Sequence, residues 1–128
     1  MRDREYIAYK GRAYTIEWYF TEKGDSPALD YYNDLRKDQR IKLLYLLKRM
    51  GDIGKTNDTT KFHNEGDKIF AFKPKPNRFL CFFESQGKII ITNAFCKKQQ
   101  KLPKNEKERA LAYKESYEKR MKEGIYYE

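Results

Sequence analysis

The sequence predicts an α+β domain of order β-α-α-β-β-β-α, and three observations carry that prediction. Ile89, Ile90 and Ile91 form a continuous β-branched run, as a strand covered on both faces does. Segments 26–35 and 38–50 place apolar residues at helical spacing, and segment 105–122 does so on an otherwise charged background. Three short apolar stretches, 68–73, 78–84 and 88–95, are joined by turn formers at hairpin length. A chain of 128 residues has room for one domain, 1–128, with a single core that needs no metal or disulfide staple.

Residues 1–12 are polar and read as an extension; alternatively, Tyr6 to Tyr9 pairs with the next strand across Lys10-Gly11. In 13–20, Tyr14, Ile16, Trp18 and Phe20 alternate with Thr15, Glu17 and Tyr19, which predicts a strand with one covered face. Ser26-Pro27 stand at the N-cap and N1 positions of a helix whose Ala28, Tyr31, Tyr32 and Leu35 point inward. Asp38 is expected to cap a second helix, ended by Gly51, with a broad apolar surface of Ile41, Leu43, Leu44, Leu46, Leu47 and Met50. Residues 51–61, GDIGKTNDTTK, have turn composition and no period, which predicts a mobile, exposed loop. Pro103 prepares a last helix, Asn105 and Glu108 have capping-box spacing, and Ala110, Tyr113, Tyr117 and Met121 form its apolar stripe. The expected architecture is a four-stranded, mainly antiparallel sheet with the helix pair on one face and the final helix beside the other.

The formal charge of +9, from 28 basic against 19 acidic residues, favours a partner rich in phosphate or carboxylate, nucleic acid first. An anionic membrane surface is disfavoured, because a membrane-surface helix presents Trp, Phe or Leu and segment 105–122 offers mainly Ala and Tyr. Two cysteines and one histidine cannot build a tetrahedral structural zinc site, and no cofactor motif is present. Cys81 and Cys96 read as buried small hydrophobes in a reducing compartment. No apolar run approaches ~20 residues and the N-terminus has no leader-like core, so the expected location is the cytoplasm.

Directly after the apolar strand, Lys97, Lys98 and Lys101 place three ammonium groups at the sheet's end. The order of apolar strand, Ala94-Phe95, Lys97-Lys98, Lys101, Pro103 and charged helix resembles the C-terminal signature of HigB-like toxins of the RelE/ParE superfamily. Lys61-Phe62, the run Ile69 to Lys73 and Arg78-Phe79-Leu80 match in order, so the resemblance spans roughly residues 13–120. Two positions depart from that pattern, Ala71 for the usual Glu and Lys73 for the usual Arg. The resemblance implies a RelE-like fold and a type II toxin, an endoribonuclease that cleaves mRNA on the translating ribosome. It also implies a cognate antitoxin, commonly a helix-turn-helix protein. Alternatives on the same scaffold are a non-catalytic RNA- or protein-binding relative and a ParE-like inhibitor of DNA gyrase; a phage-derived protein serving an acidic partner is a further one.

Metal-independent RNA cleavage needs a base, an acid and donors for the charge that develops on phosphorus. Lys and Arg suit the last role. Lys73 ends one strand and Arg78 begins the next, so the short hairpin ties the two cations to one sheet end. Lys97 and Lys98 join them as catalytic candidates, and Lys61 and Lys101 as RNA-binding ones. His63, the one histidine, has the side chain suited to proton transfer near neutrality. A lysine made less basic by neighbouring cations is the other candidate base.

Overall fold

The computed structural model describes residues 4–54, 58–97 and 102–128. The elements run β1 (Ile7–Lys10), β2 (Thr15–Trp18), α1 (Pro27–Asn33), α2 (Lys37–Ile53), β3 (Phe62–Gly66), β4 (Ile69–Phe72), β5 (Asn77–Glu84), β6 (Lys88–Cys96) and α3 (Lys104–Lys122). The strands form one sheet in the order β1-β2-β6-β5-β4-β3. The β2–β6 pair is parallel and the other pairs are antiparallel. The fold is therefore α+β, with six strands where four were expected.

The two added strands lie at the edges, where sequence signals are weakest. β1 realises the hairpin reading of the N-terminal residues, pairing Tyr9 with Ile16 and Lys10 with Thr15. β3, FHNEG, lacks apolar alternation because a single large side chain, Phe62, reaches the core. Asp67 and Lys68, both at positive φ, make the tight turn that folds it onto β4.

The sheet separates two cores. On one face α1 and α2 bring Ala28, Leu43, Leu47 and Met50 against Ile16, Trp18, Phe79, Ile89 and Ile91. On the other, α3 brings Ala110 and Tyr117 against Ala71, Leu80, Phe82 and Ile90. Ile89, Ile90 and Ile91 are all fully buried, so β6 is covered on both faces as its apolar run requires. A β-bulge interrupts β6: Leu80 pairs with Asn93 and Cys81 with Ile91, which leaves Thr92 as the extra residue. Beyond it Ala94 turns to the α1–α2 side and Phe95 to the α3 side, the reverse of the parity set by Ile90 and Ile91.

Several local expectations are corrected. β2 is covered on both faces, because the C-terminal Tyr126 and Tyr127 close over its second one. Glu17, 4% exposed, is consequently buried and accepts from the Tyr127 hydroxyl at 2.6 Å with the Lys88 ammonium 3.4 Å away. Ile41 and Leu44 of α2 are exposed; Leu43, Leu46, Leu47 and Met50 alone suffice for its buried stripe. α2 passes through Gly51 and ends at Gly54, which takes the left-handed conformation at φ 80°. α2 begins after Arg36, and α3 begins at Lys104 after Pro103, so Asp38, Asn105 and Glu108 are all inside their helices and no side-chain cap bond forms. Cys81 is buried but Cys96, at the strand's last position, is exposed. Of the loop expected over 51–61, residues 51–53 are helical, 58–60 lead into β3, and 55–57 lie outside the described residues.

Candidate functional site

Directly opposed residues of antiparallel strands share a face. His63 pairs with Ala71, and Ala71 with Leu80, so all three lie on the α3 side of the sheet. Phe72 pairs with Phe79, and one further step sets Lys73 beside Arg78. The ladder continues to the strand before them, since the Lys73 amide donates to the Lys61 carbonyl at 2.8 Å. On the other side of β5, Arg78 pairs with Phe95, and the Lys97 amide donates to the Pro76 carbonyl at 2.9 Å. The hairpin and the end of β6 thus gather Lys73, Arg78 and Lys97 at one corner of the sheet.

Arg78 is 8% exposed and held where a guanidinium is poorly solvated. Its Nη1 donates to the Asn77 carbonyl at 2.9 Å, while its Nε is buried with no hydrogen-bond partner. Burial lowers its pKa from the ordinary arginine value, with Glu65 and Cys96 opposing the shift. Lys73 is less basic than an ordinary lysine for a related reason: burial acts first, then the positive charges of Arg78 and Lys97. Its ammonium donates to the Thr59 carbonyl at 3.2 Å. Cations brought together at partial burial, one with an unmet donor, create a corner of positive potential that an anion relieves.

His63 stands on the edge strand with its Nδ1 3.2 Å from Glu65 Oε1. Its side chain is half-exposed, whereas Glu65 is 12% exposed. Ala71, opposite His63, is fully buried beneath α3, so this position offers neither a carboxylate nor room for one without displacing α3. The start of α3 is fixed over the same face: Asn93 Nδ2 donates to the Glu106 carbonyl at 3.1 Å and to Glu106 Oε1 at 3.0 Å, and Lys107 pairs with Asp67 at 2.9 Å. Lys61 is exposed and borders a separate hollow toward α2, with Tyr45, Arg49 and Asp58. Lys98 and Lys101 lie outside the described residues. Of the seven residues singled out in the sequence, then, Lys73, Arg78 and Lys97 come together, His63 flanks them, and Lys61 stands apart.

The model of the family described as phage derived protein Gp49-like (DUF891) matches residues 30–115, about two thirds of the chain and every residue of this corner. The chain belongs to the Gp49-like family. That family is part of the RelE/HigB-like superfamily of toxins from toxin-antitoxin modules, and an antitoxin is the partner such a family implies. No curated protein matches the chain. Among the described residues, no helix of this Gp49-like protein is long and apolar enough to cross a membrane.

Glu65 is the residue that sequence reasoning overlooked. The sequence carries a partial signal: His63-Asn64-Glu65 puts histidine and carboxylate two apart, on one face of a regular strand, although the β3 register shifts at Glu65. It was hidden because the segment did not read as a strand. Chemically, the corner gathers cations suited to an anion, with an imidazole on the neighbouring edge strand.

Proposed function

We propose that this Gp49-like chain is a HigB-like toxin, a metal-independent endoribonuclease that cleaves mRNA on the translating ribosome in the cytoplasm and is restrained by a helix-turn-helix antitoxin. The observation that carries the reading is Arg78, a nearly buried guanidinium with an unpartnered Nε beside Lys73 and Lys97. A charge so placed is costly unless an anion completes it, and the scissile phosphate is such an anion.

In this mechanism Arg78 and Lys97 hold the non-bridging phosphate oxygens. His63 takes the proton of the ribose 2′-OH as the oxygen bonds to phosphorus. The bond from phosphorus to the 5′ oxygen breaks, and the Lys73 ammonium protonates the departing oxygen. The products are a 2′,3′-cyclic phosphate and a 5′-hydroxyl, and proton exchange with water resets both groups. A lysine rendered less basic by burial, and then by Arg78 and Lys97, gives up its proton more readily, which suits Lys73 to the acid role. Lys61, Lys98 and Lys101 extend the cationic track along the RNA.

Expression of the chain alone in a bacterium should arrest growth with messages cut inside their coding regions, and primer extension reads the cuts. Arg78→Ala at equal soluble level should relieve the arrest. Arrest with intact messages and inhibited DNA supercoiling would favour the gyrase reading, and normal growth at confirmed soluble expression would sink the toxin reading.

A further inference from the structure

We propose that Glu65 is the positioning carboxylate of His63, fixing the imidazole with Nδ1 protonated and Nε2 free to accept the proton of the 2′-OH. The inference rests on the ribonuclease reading, and its geometry stands independently of it. An ionised carboxylate has no proton to give, so its contact with Nδ1 at 3.2 Å requires the hydrogen on the ring nitrogen. In the neutral ring the second nitrogen is then bare and basic.

The local backbone is shaped to make this contact. The β3–β4 register shifts between Asn64 and Gly66, so Glu65 is the extra residue of a β-bulge. The bulge is closed by the Gly66 amide donating to Asn64 Oδ1 at 2.9 Å, with Gly66 at φ 90°. Bulges of this kind re-aim one side chain on an otherwise regular edge. The result is a mostly buried carboxylate under a half-exposed imidazole. Ala71, across from His63, offers no competing polar group.

Glu65 also lies within electrostatic range of the cationic corner, since its charge opposes the lowering of the Lys73 and Arg78 pKa values. Among the described residues its ion pair at contact distance is nonetheless with His63. One carboxylate therefore pairs with the imidazole and lies within electrostatic range of the cations that would hold the phosphate.

Because His63 is the only histidine, its ring nitrogens give a single NMR signature in the intact chain. With the ring neutral, long-range proton–nitrogen spectra of the parent should report the Nδ1–H tautomer. Glu65→Ala should move the population toward Nε2–H, and Glu65→Asp should restore part of it. Cleavage of message in a translating extract should fall about tenfold to a hundredfold in Glu65→Ala and recover partly in Glu65→Asp, with unchanged thermal melting. An Nε2–H ring in the parent, or a tautomer indifferent to Glu65→Ala, overturns the proposal. So does an active parent whose rate survives Glu65→Ala, and that outcome leaves the ribonuclease reading standing. A parent with the Nδ1–H signature that cuts no RNA overturns the ribonuclease reading and the positioning role with it.

Discussion

On the proposed ribonuclease reading, Arg78 is where stability and function pull in opposite directions. Its Nε has no partner and its charge is mostly removed from water, so folding alone gains little from an arginine there. Methionine reaches as far as the Arg78 Nε position and carries no donor there. Arg78→Met should therefore raise stability by about 1–3 kcal/mol, the cost of an unmet buried donor, while cleavage falls ~100-fold or more through loss of a charge-stabilising donor. Thermal melting and an RNA cleavage assay on the same preparation read both. A less stable variant that still cleaves would make Arg78 a structural residue. The nearness of Lys73 and Arg78 was legible in the sequence because four residues of turn formers leave the flanking positions no freedom to separate. The orphaned Nε was not, since it depends on which other side chains fill the face.

At the scale of elements, legibility followed burial. The central strands β5 and β6 and the longer helices α2 and α3 have enough buried apolar positions for their period to show. The edge strands β1 and β3 are held by backbone ladders and by the elements they touch, which leaves little trace in composition. The β1–β2 hairpin is seated on the end of α2 by a close backbone approach, the Ala13 and Tyr14 amides donating to the Gly51 carbonyl at 2.7 and 2.9 Å, and by the Tyr9 hydroxyl, which donates to the Asp52 carboxylate at 2.8 Å. That approach needs glycine on both sides. A Cβ on Gly11 would lie 2.2 Å from the Gly51 carbonyl carbon and oxygen, which no rotamer change relieves. Gly11→Ala should cost about 3 kcal/mol or more and free the hairpin from α2. Gly87→Ala is the control: a Cβ there meets nothing within 4 Å, and only the positive φ of 77° is penalised, about 1 kcal/mol. Equal melting points for the two variants would mean that the hairpin is not clamped on α2.

For the whole molecule, the segments outside the family match are what close the second core. Residues 4–29 and 116–128 lie beyond the matched region, yet they interlock. Arg120, 4% exposed, donates to the Tyr19 hydroxyl at 2.8 Å and the Phe20 carbonyl at 2.7 Å, and its guanidinium lies 4.8 Å from the Tyr126 ring centre. The Phe20 amide in turn donates to the Tyr126 hydroxyl at 3.0 Å. This cluster stands near Lys88 and Glu84, at the opposite end of β5 and β6 from Arg78. Tyr126→Phe leaves the Phe20 amide buried and unpaired, so it should cost about 1–3 kcal/mol while RNA cleavage well below the melting temperature is unchanged. The same cluster sets the alkaline limit. Burial is the first cause that raises the pKa values of Tyr117, Tyr126 and Tyr127 above the ordinary tyrosine value. Above about pH 10 an unfolded chain sheds tyrosine protons that the folded chain keeps. The folded state then binds more protons, so stability falls as pH rises. Denaturant melts from pH 8 to 11 should show a midpoint that is flat at first and drops beyond about pH 10, with a smaller drop in Tyr126→Phe because one of the cluster's three shifted phenols is gone. A midpoint equally steep in parent and variant would place the alkaline sensitivity elsewhere and remove the closing role assigned to the C-terminal tyrosines.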